Sequence, residues 1–222
     1  MTLEIKWFGH SWFRIVADGV SLHFDPLPEK YRKKLGLATM LESEPKADFV
    51  LVSHAHGDHW DKETIQALRG PRTVVIAPRK TANRIGDCAV VIESGQTLSY
   101  DRVSVRATPA YNLRKFYHRR GKGVGYLVTI GGMTIYHAGD TDFIPEMNAL
   151  GKVDVALLPI GGRFTMDVKE AAMAAKAISP RLLIPMHNLE TNPSEIGRLL
   201  EDKPNIRVEP MKPDQVFVLR DD

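Results

Sequence analysis

Six consecutive residues, His54-Ala55-His56-Gly57-Asp58-His59, hold three of the chain's eight histidines and a carboxylate. They stand directly behind Asp48-Phe49-Val50-Leu51-Val52-Ser53, an apolar run of strand length that ends in a polar residue. Such a run delivers side chains to the rim of a sheet. Neutral imidazole and carboxylate are natural ligands of zinc and related divalent ions. Alternation puts His54 and His56 on one side of an extended segment, and Gly57 lets the backbone turn before Asp58 and His59. The loop can therefore offer one pair of ligands to one ion and a second pair to another. A catalytic ion takes about three protein ligands and keeps a position for water. Two plus two is incomplete, so the chain must fold in a way that brings other strand ends to the same rim.

Two later segments meet that demand. Asp140 follows the apolar stretch Met133–His137, and His187 closes Leu182-Leu183-Ile184-Pro185-Met186-His187. An aspartate with two oxygens can bridge two ions, which two-metal hydrolases hold about 3.5–4 Å apart. His118 is a candidate further ligand. His10, in Gly9-His10-Ser11, could orient a ligand or touch substrate. His137 reads as structural. Between Arg114 and Lys122 the chain carries Arg114, Lys115, His118, Arg119, Arg120 and Lys122 without an acid. That loop is either a solvated surface or an anion clamp, with Arg114 and Lys115 as its candidate contacts.

The element pattern is strand-rich at first. Strands are expected at Glu4–Phe8, Trp12–Ala17 and Val20–Asp25, with an Asp18-Gly19 hairpin turn, and a short helix around Lys30–Leu35 in the Pro26–Lys46 connection. A helix at Lys62–Leu68 follows the histidine loop. Further strands are expected at Thr73–Ala77, Ala89–Ile92, Val103–Ala107, Val124–Ile130, Met133–His137, Val153–Leu158, Arg181–His187 and Val216–Leu219. Helices are expected at Pro145–Leu150, Met166–Ile178 and Pro193–Leu200. This pattern suits two packed mixed sheets with helices outside, a four-layer α/β sandwich formed by residues 1–222 as a single domain.

Composition narrows the function classes. The formal charge of +3 does not by itself argue for nucleic acid. No apolar run is long enough to span a bilayer, and the first residues lack a secretory pattern. The single cysteine, Cys88, reads as a small buried thiol and fits a cytoplasmic location.

The segment His54–His59 matches the HxHxDH signature of the metallo-β-lactamase superfamily. Ala138-Gly139-Asp140-Thr141 and Pro185-Met186-His187 resemble its bridging-aspartate and final-histidine motifs, in the same order. Gly9-His10-Ser11, Asp25-Pro26, Leu158-Pro159-Ile160-Gly161-Gly162 and Phe164-Thr165-Met166 resemble more narrowly its small metal-dependent hydrolases, relatives of the ascorbate-6-phosphate lactonases. The resemblance implies an αβ/βα sandwich with the metals at one edge. It implies that His54 and His56 bind a first ion, that Asp58, His59 and His187 bind a second, and that Asp140 bridges. The family's further first-site histidine has no counterpart in Thr108-Pro109-Ala110-Tyr111-Asn112, so His118 or water would have to replace it. The expected cofactor is a pair of zinc ions, with manganese, iron or nickel as alternatives. The expected activity is hydrolysis of an ester, lactone or phosphoester bond of a small anionic substrate by a metal-bound hydroxide, with Asp58 as proton acceptor. The competing readings are a phosphodiesterase or nuclease, and a non-catalytic metal-stabilised scaffold. Homo-oligomerisation stays open.

Overall fold

The computed structural model describes residues 2–37 and 41–220, apart from the side chain of Glu42. Residues 38–40 of the Pro26–Lys46 connection lie outside the described residues. The chain divides into two compact units, residues 1–92 with 212–222, and residues 93–211. Among the described residues no helix is long and apolar enough to cross a membrane.

The first unit is one mixed sheet with short helices. Its strands are β1 (Thr2–Gly9), β2 (Trp12–Ala17), β3 (Val20–Phe24), β4 (Ala47–Leu51), β5 (Arg69–Ala77), β6 (Ala89–Val91) and the late β14 (Val216–Arg220). They run in the order β14-β1-β2-β3-β4-β5-β6. The pairs from β14 to β3 are antiparallel, and those from β3 to β6 are parallel. The β2–β3 turn carries Asp18 at φ 49° and Gly19 at φ 73°, the double left-handed geometry that tight hairpins require. Three helices follow strands: α1 (Glu29–Lys34), α2 (Lys62–Leu68) and α3 (Arg79–Ile85). Asp61 starts α2 by accepting the Thr64 amide at 2.7 Å, which satisfies an amide the helix itself leaves without a partner. The core gathers Phe8, Trp12, Val50, Trp60 and Leu68.

The second unit repeats the plan. Its strands are β7 (Thr97–Ser99), β8 (Val103–Ala110), β9 (Gly123–Ile130), β10 (Met133–His137), β11 (Val155–Pro159), β12 (Leu182–Met186) and β13 (Arg207–Val208). The sheet order is β13-β12-β11-β10-β9-β8-β7, antiparallel from β7 to β10 and parallel from β10 to β13. A 3-10 turn at Pro145–Ala149 and the helices α4 (Val168–Ile178) and α5 (Glu195–Arg198) complete it. Helix α4 begins two residues later than the sequence suggested, because Asp167 and Glu170 form a capping box. That box terminates the helix by taking two otherwise orphaned amides. Ala171, Ala172, Ala174 and Ala175 of α4 are buried in a cluster with Tyr136, Leu158 and Leu183.

One core histidine gives a pH prediction. The Trp12 indole donates to His23 Nδ1 at 3.0 Å, and the imidazole is fully buried. Burial, with the charges of Arg14 and Lys6, lowers its pKa from 6.5 to about 3. The native ring stays neutral while the unfolded chain takes up a proton below 6.5, so stability falls as pH drops through that window. The expected loss is about 3 kcal/mol between pH 6.5 and pH 4. In His23→Gln, whose amide oxygen can still accept from Trp12, urea melts across this range should show a drop smaller by that amount. An unchanged slope would contradict the assignment.

Candidate metal centre

In the first unit the parallel neighbours β3 and β4 end at the same rim, with Phe24 opposite Leu51. Asp25 and Ser53 therefore emerge side by side. Asp25 Oδ1 accepts the Ser53 amide at 2.6 Å. Asp25 Oδ2 accepts both the Ser53 hydroxyl at 2.6 Å and His59 Nδ1 at 2.8 Å. An ionised carboxylate only accepts, so the His59 proton sits on Nδ1 and its lone pair on Nε2. The Ser53 proton is committed to Asp25, so Ser53 Oγ must accept from His54 Nδ1, 2.9 Å away. His54 is thereby held in the same tautomer, with its lone pair on Nε2.

That Nε2 lies 3.0 Å from His56 Nδ1. His59 Nε2 lies 4.0 Å from Asp58 Oδ2, and His10 Nε2 lies 3.3 Å from the same oxygen. The first spacing and the second suit donor atoms that each reach about 2 Å to a shared ion. One ligand atom from each of Asp25, His54 and His59 also falls within 4.8 Å of the others.

In the second unit Asp140 leaves the end of β10 and His187 the end of β12, two parallel strands away. His187 Nε2 is 3.3 Å from Asp140 Oδ2, and His118 Nε2 is 3.2 Å from the same oxygen. All three side chains are buried. His118 Nδ1 faces two acceptors, Asn112 Oδ1 and the Phe164 carbonyl, both at 3.2 Å. Its proton therefore belongs on Nδ1, which puts the ring's lone pair on Nε2, the atom that faces Asp140. Gly161 is required by the close approach of β12's end. A Cβ there would sit 2.5 Å from the His187 carbonyl oxygen.

The backbone carries strain where these side chains sit. His10, Asp25 and His187 all have positive φ, at 55°, 44° and 47°. Left-handed geometry costs a residue with a Cβ about 1–2 kcal/mol, and surroundings that hold it there are a mark of functional sites. Gly9 sits at φ 103°, a conformation that side-chain-bearing residues rarely adopt, and a Cβ there would push against the tip of Leu37.

The remaining candidates separate. His137 is buried and its Nδ1 accepts the Gly139 amide at 3.2 Å, a structural role as expected. Tyr111 stands where the resemblance calls for a histidine. Its hydroxyl donates to Glu146 at 3.1–3.2 Å, and burial, helped by Glu146, raises its pKa. Arg114 is exposed, whereas Lys115 Nζ is held by Asp142 at 2.9 Å and the Thr165 carbonyl at 2.6 Å. Asp25, Ser53 and Asn112 were not singled out as orienting groups in the sequence. Asp25's position at a strand end was the available signal.

Residues 4–187 match the family described as the β-lactamase superfamily domain. The chain is 36% identical over 219 residues to a UPF0173 metal-dependent hydrolase of Thermococcus kodakarensis, covering 92% of this chain and 95% of that one. Among solved structures, a candidate metal-dependent hydrolase of Parabacteroides distasonis superposes with a TM-score of 0.85 at 35% identity, over 94% of this chain and 92% of that one. A metallo hydrolase of Ignicoccus hospitalis gives a TM-score of 0.80 at 26% identity, with full coverage of both chains. The fold is the metallo-β-lactamase αβ/βα sandwich that the sequence led us to expect.

Proposed function

The chain belongs to the β-lactamase superfamily, among its UPF0173 metal-dependent hydrolases, and from that premise we propose that it hydrolyses an ester, lactone or phosphoester bond of a small anionic substrate at a two-metal centre. The observation that carries this reading is the enforced tautomer of His54, His59 and His118, each with Nδ1 hydrogen-bonded and Nε2 left to ligate. In this reading, which the family resemblance supplies, His54, His56 and His118 would hold one ion and Asp58, His59 and His187 the other, with Asp140 shared by both. His118 then stands in for the histidine that Tyr111 displaces. The donor set of imidazoles and carboxylates favours zinc, with manganese, iron or nickel as alternatives. A divalent ion held there supplies Lewis acidity, lowering the pKa of water toward about 7 and polarising the electrophilic oxygen.

The chain's own residues do the rest. Asp58 orients the attacking water and takes its proton on the carboxylate oxygen that does not ligate, while His10 Nε2 approaches the other oxygen, Oδ2, at 3.3 Å. An anionic substrate is supported by cations around the histidine loop. Lys30 Nζ lies 3.9 Å from where a Gly57 Cβ would be, and Arg84 donates to the Ala55 carbonyl at 2.7 Å. A lone cysteine suits a reducing cytoplasm, where we place the enzyme.

The test is an activity panel of aryl esters, lactones and phosphodiesters with protein loaded with zinc, manganese, nickel or iron. At least one class should turn over, stop with a chelator and recover with metal. Asp58→Asn should lower kcat about a hundredfold. Hydrolysis that persists without metal, or at full rate in Asp58→Asn, would sink the reading.

A further inference from the structure

In the segment from Leu113 to Tyr117 one lysine, Lys115, turns toward the protein while Leu113, Phe116 and Tyr117, with Arg114, face water. Lys115 is tied down by Asp142 and Thr165. Just ahead of it the Asn112 amide donates to Asp142 Oδ1 and to the Phe164 carbonyl, both at 2.9 Å, and the Leu113 amide donates to Asp142 Oδ2 at 2.9 Å. Meanwhile Phe116 is 85% exposed, Leu113 56% and Tyr117 50%. Drawing a lysine partly out of water into charge-paired hydrogen bonds while presenting phenylalanine and leucine to water opposes the usual partition. An apolar group that covers the exposed side chains in use would account for the inversion.

The same bonds tie this apolar lip to the ligand cluster of its own unit. Tyr117 directly precedes His118. Its ring packs edge-on against Phe164, centroids 4.7 Å apart, and the Phe164 carbonyl is an acceptor for His118 Nδ1. Asp142, the anchor beneath the loop, is two residues from Asp140. Lip and imidazole are thus joined through Tyr117 and Phe164.

We propose that these three side chains form the acyl-recognition wall of the substrate site, so that the substrate carries an apolar chain of several carbons besides its reacting group. This rests on the hydrolase reading above and adds the chemical class of the substrate's non-reacting part. Specificity then resides in the lip, since each buried methylene strengthens binding roughly fourfold.

The test compares binding of octanoate and acetate to the metal-loaded protein by titration calorimetry, so that it does not depend on turnover. Octanoate should bind at least tenfold more tightly than acetate. In Phe116→Ser and Leu113→Ser, surface changes that leave the anchoring bonds intact, that ratio should fall toward one while acetate affinity stays as it was. Equal affinities in the unaltered protein overturn the proposal. So does an unchanged ratio in both variants, with or without a change of oligomeric state in sedimentation, because the lip would then serve something other than the ligand. Chain-length selectivity in a protein that hydrolyses nothing on the panel would support the wall and sink the hydrolase reading, which keeps the two failures apart.

Discussion

Asp140→Ala is expected to leave a folded protein that holds less than about a tenth of its metal and hydrolyses at background. One oxygen of this carboxylate lies 3.2 Å from His118 Nε2 and 3.3 Å from His187 Nε2. Two imidazoles, one from the loop after β8 and one from the end of β12, therefore depend on it for their mutual arrangement. Deleting an orienting partner of a ligand costs about 10–100-fold in metal affinity, and deleting the ligand we propose both ions share should exceed that, on the order of a thousandfold. The fold should survive, because the strand end is held by other bonds. The Ala138 amide donates to the Leu157 carbonyl, and Asp142, not Asp140, anchors the Asn112 loop. Elemental analysis after dialysis, paired with circular dichroism, checks both halves of this expectation. Stoichiometric metal in Asp140→Ala would remove the aspartate from the centre.

The reverse pattern is expected of Asp142, and the contrast explains what could be read from the sequence. Strand ends, the His54–His59 cluster, Asp140 and His187 were legible because each declares itself locally, as an apolar run closed by a ligand-type residue. The Asp18-Gly19 turn was legible for the same reason. The bonds that give these residues their chemistry join positions tens of residues apart: Asp25 with Ser53 and His59, Asn112 with Asp142 and Phe164. Lys115 reads as a loop cation until Asp142 is found beneath it. Thr108-Pro109-Ala110 reads as a break, yet belongs to β8. It pairs with β9 on one side, while β7 covers only residues 104–106 on the other. Proline is tolerated on such an uncovered edge. The strands β7 and β13 were too short to leave a periodic trace, and α3 begins after Pro78 with a largely polar run, Arg79–Arg84.

Asp25→Asn should separate metal binding from folding more sharply than any ligand deletion. The Ser53 amide has to keep an acceptor, so the asparagine oxygen takes the place of Oδ1 and the NH2 group takes that of Oδ2. Its two protons then point at Ser53 Oγ and at His59 Nδ1, the two atoms that donated to Oδ2 before. His59 can accept there only if its proton moves to Nε2, the ligating atom. Ser53 Oγ, now an acceptor from the amide, turns its own proton toward His54 Nδ1, and His54 moves its proton to Nε2 as well. Every hydrogen bond is kept, the Ser53 amide's in its original direction and the three side-chain bonds reversed, so the stability loss should stay within about 1–2 kcal/mol. Two ligands present N–H instead of a lone pair, and metal affinity should fall about a hundredfold or more. Asp25→Ala, which leaves three buried donors without an acceptor, should instead cost about 3–5 kcal/mol in urea melts. An Asp25→Asn protein that binds metal as well as the parent would show that the tautomers are not set from this carboxylate. One destabilised as much as Asp25→Ala would show that the network cannot reverse.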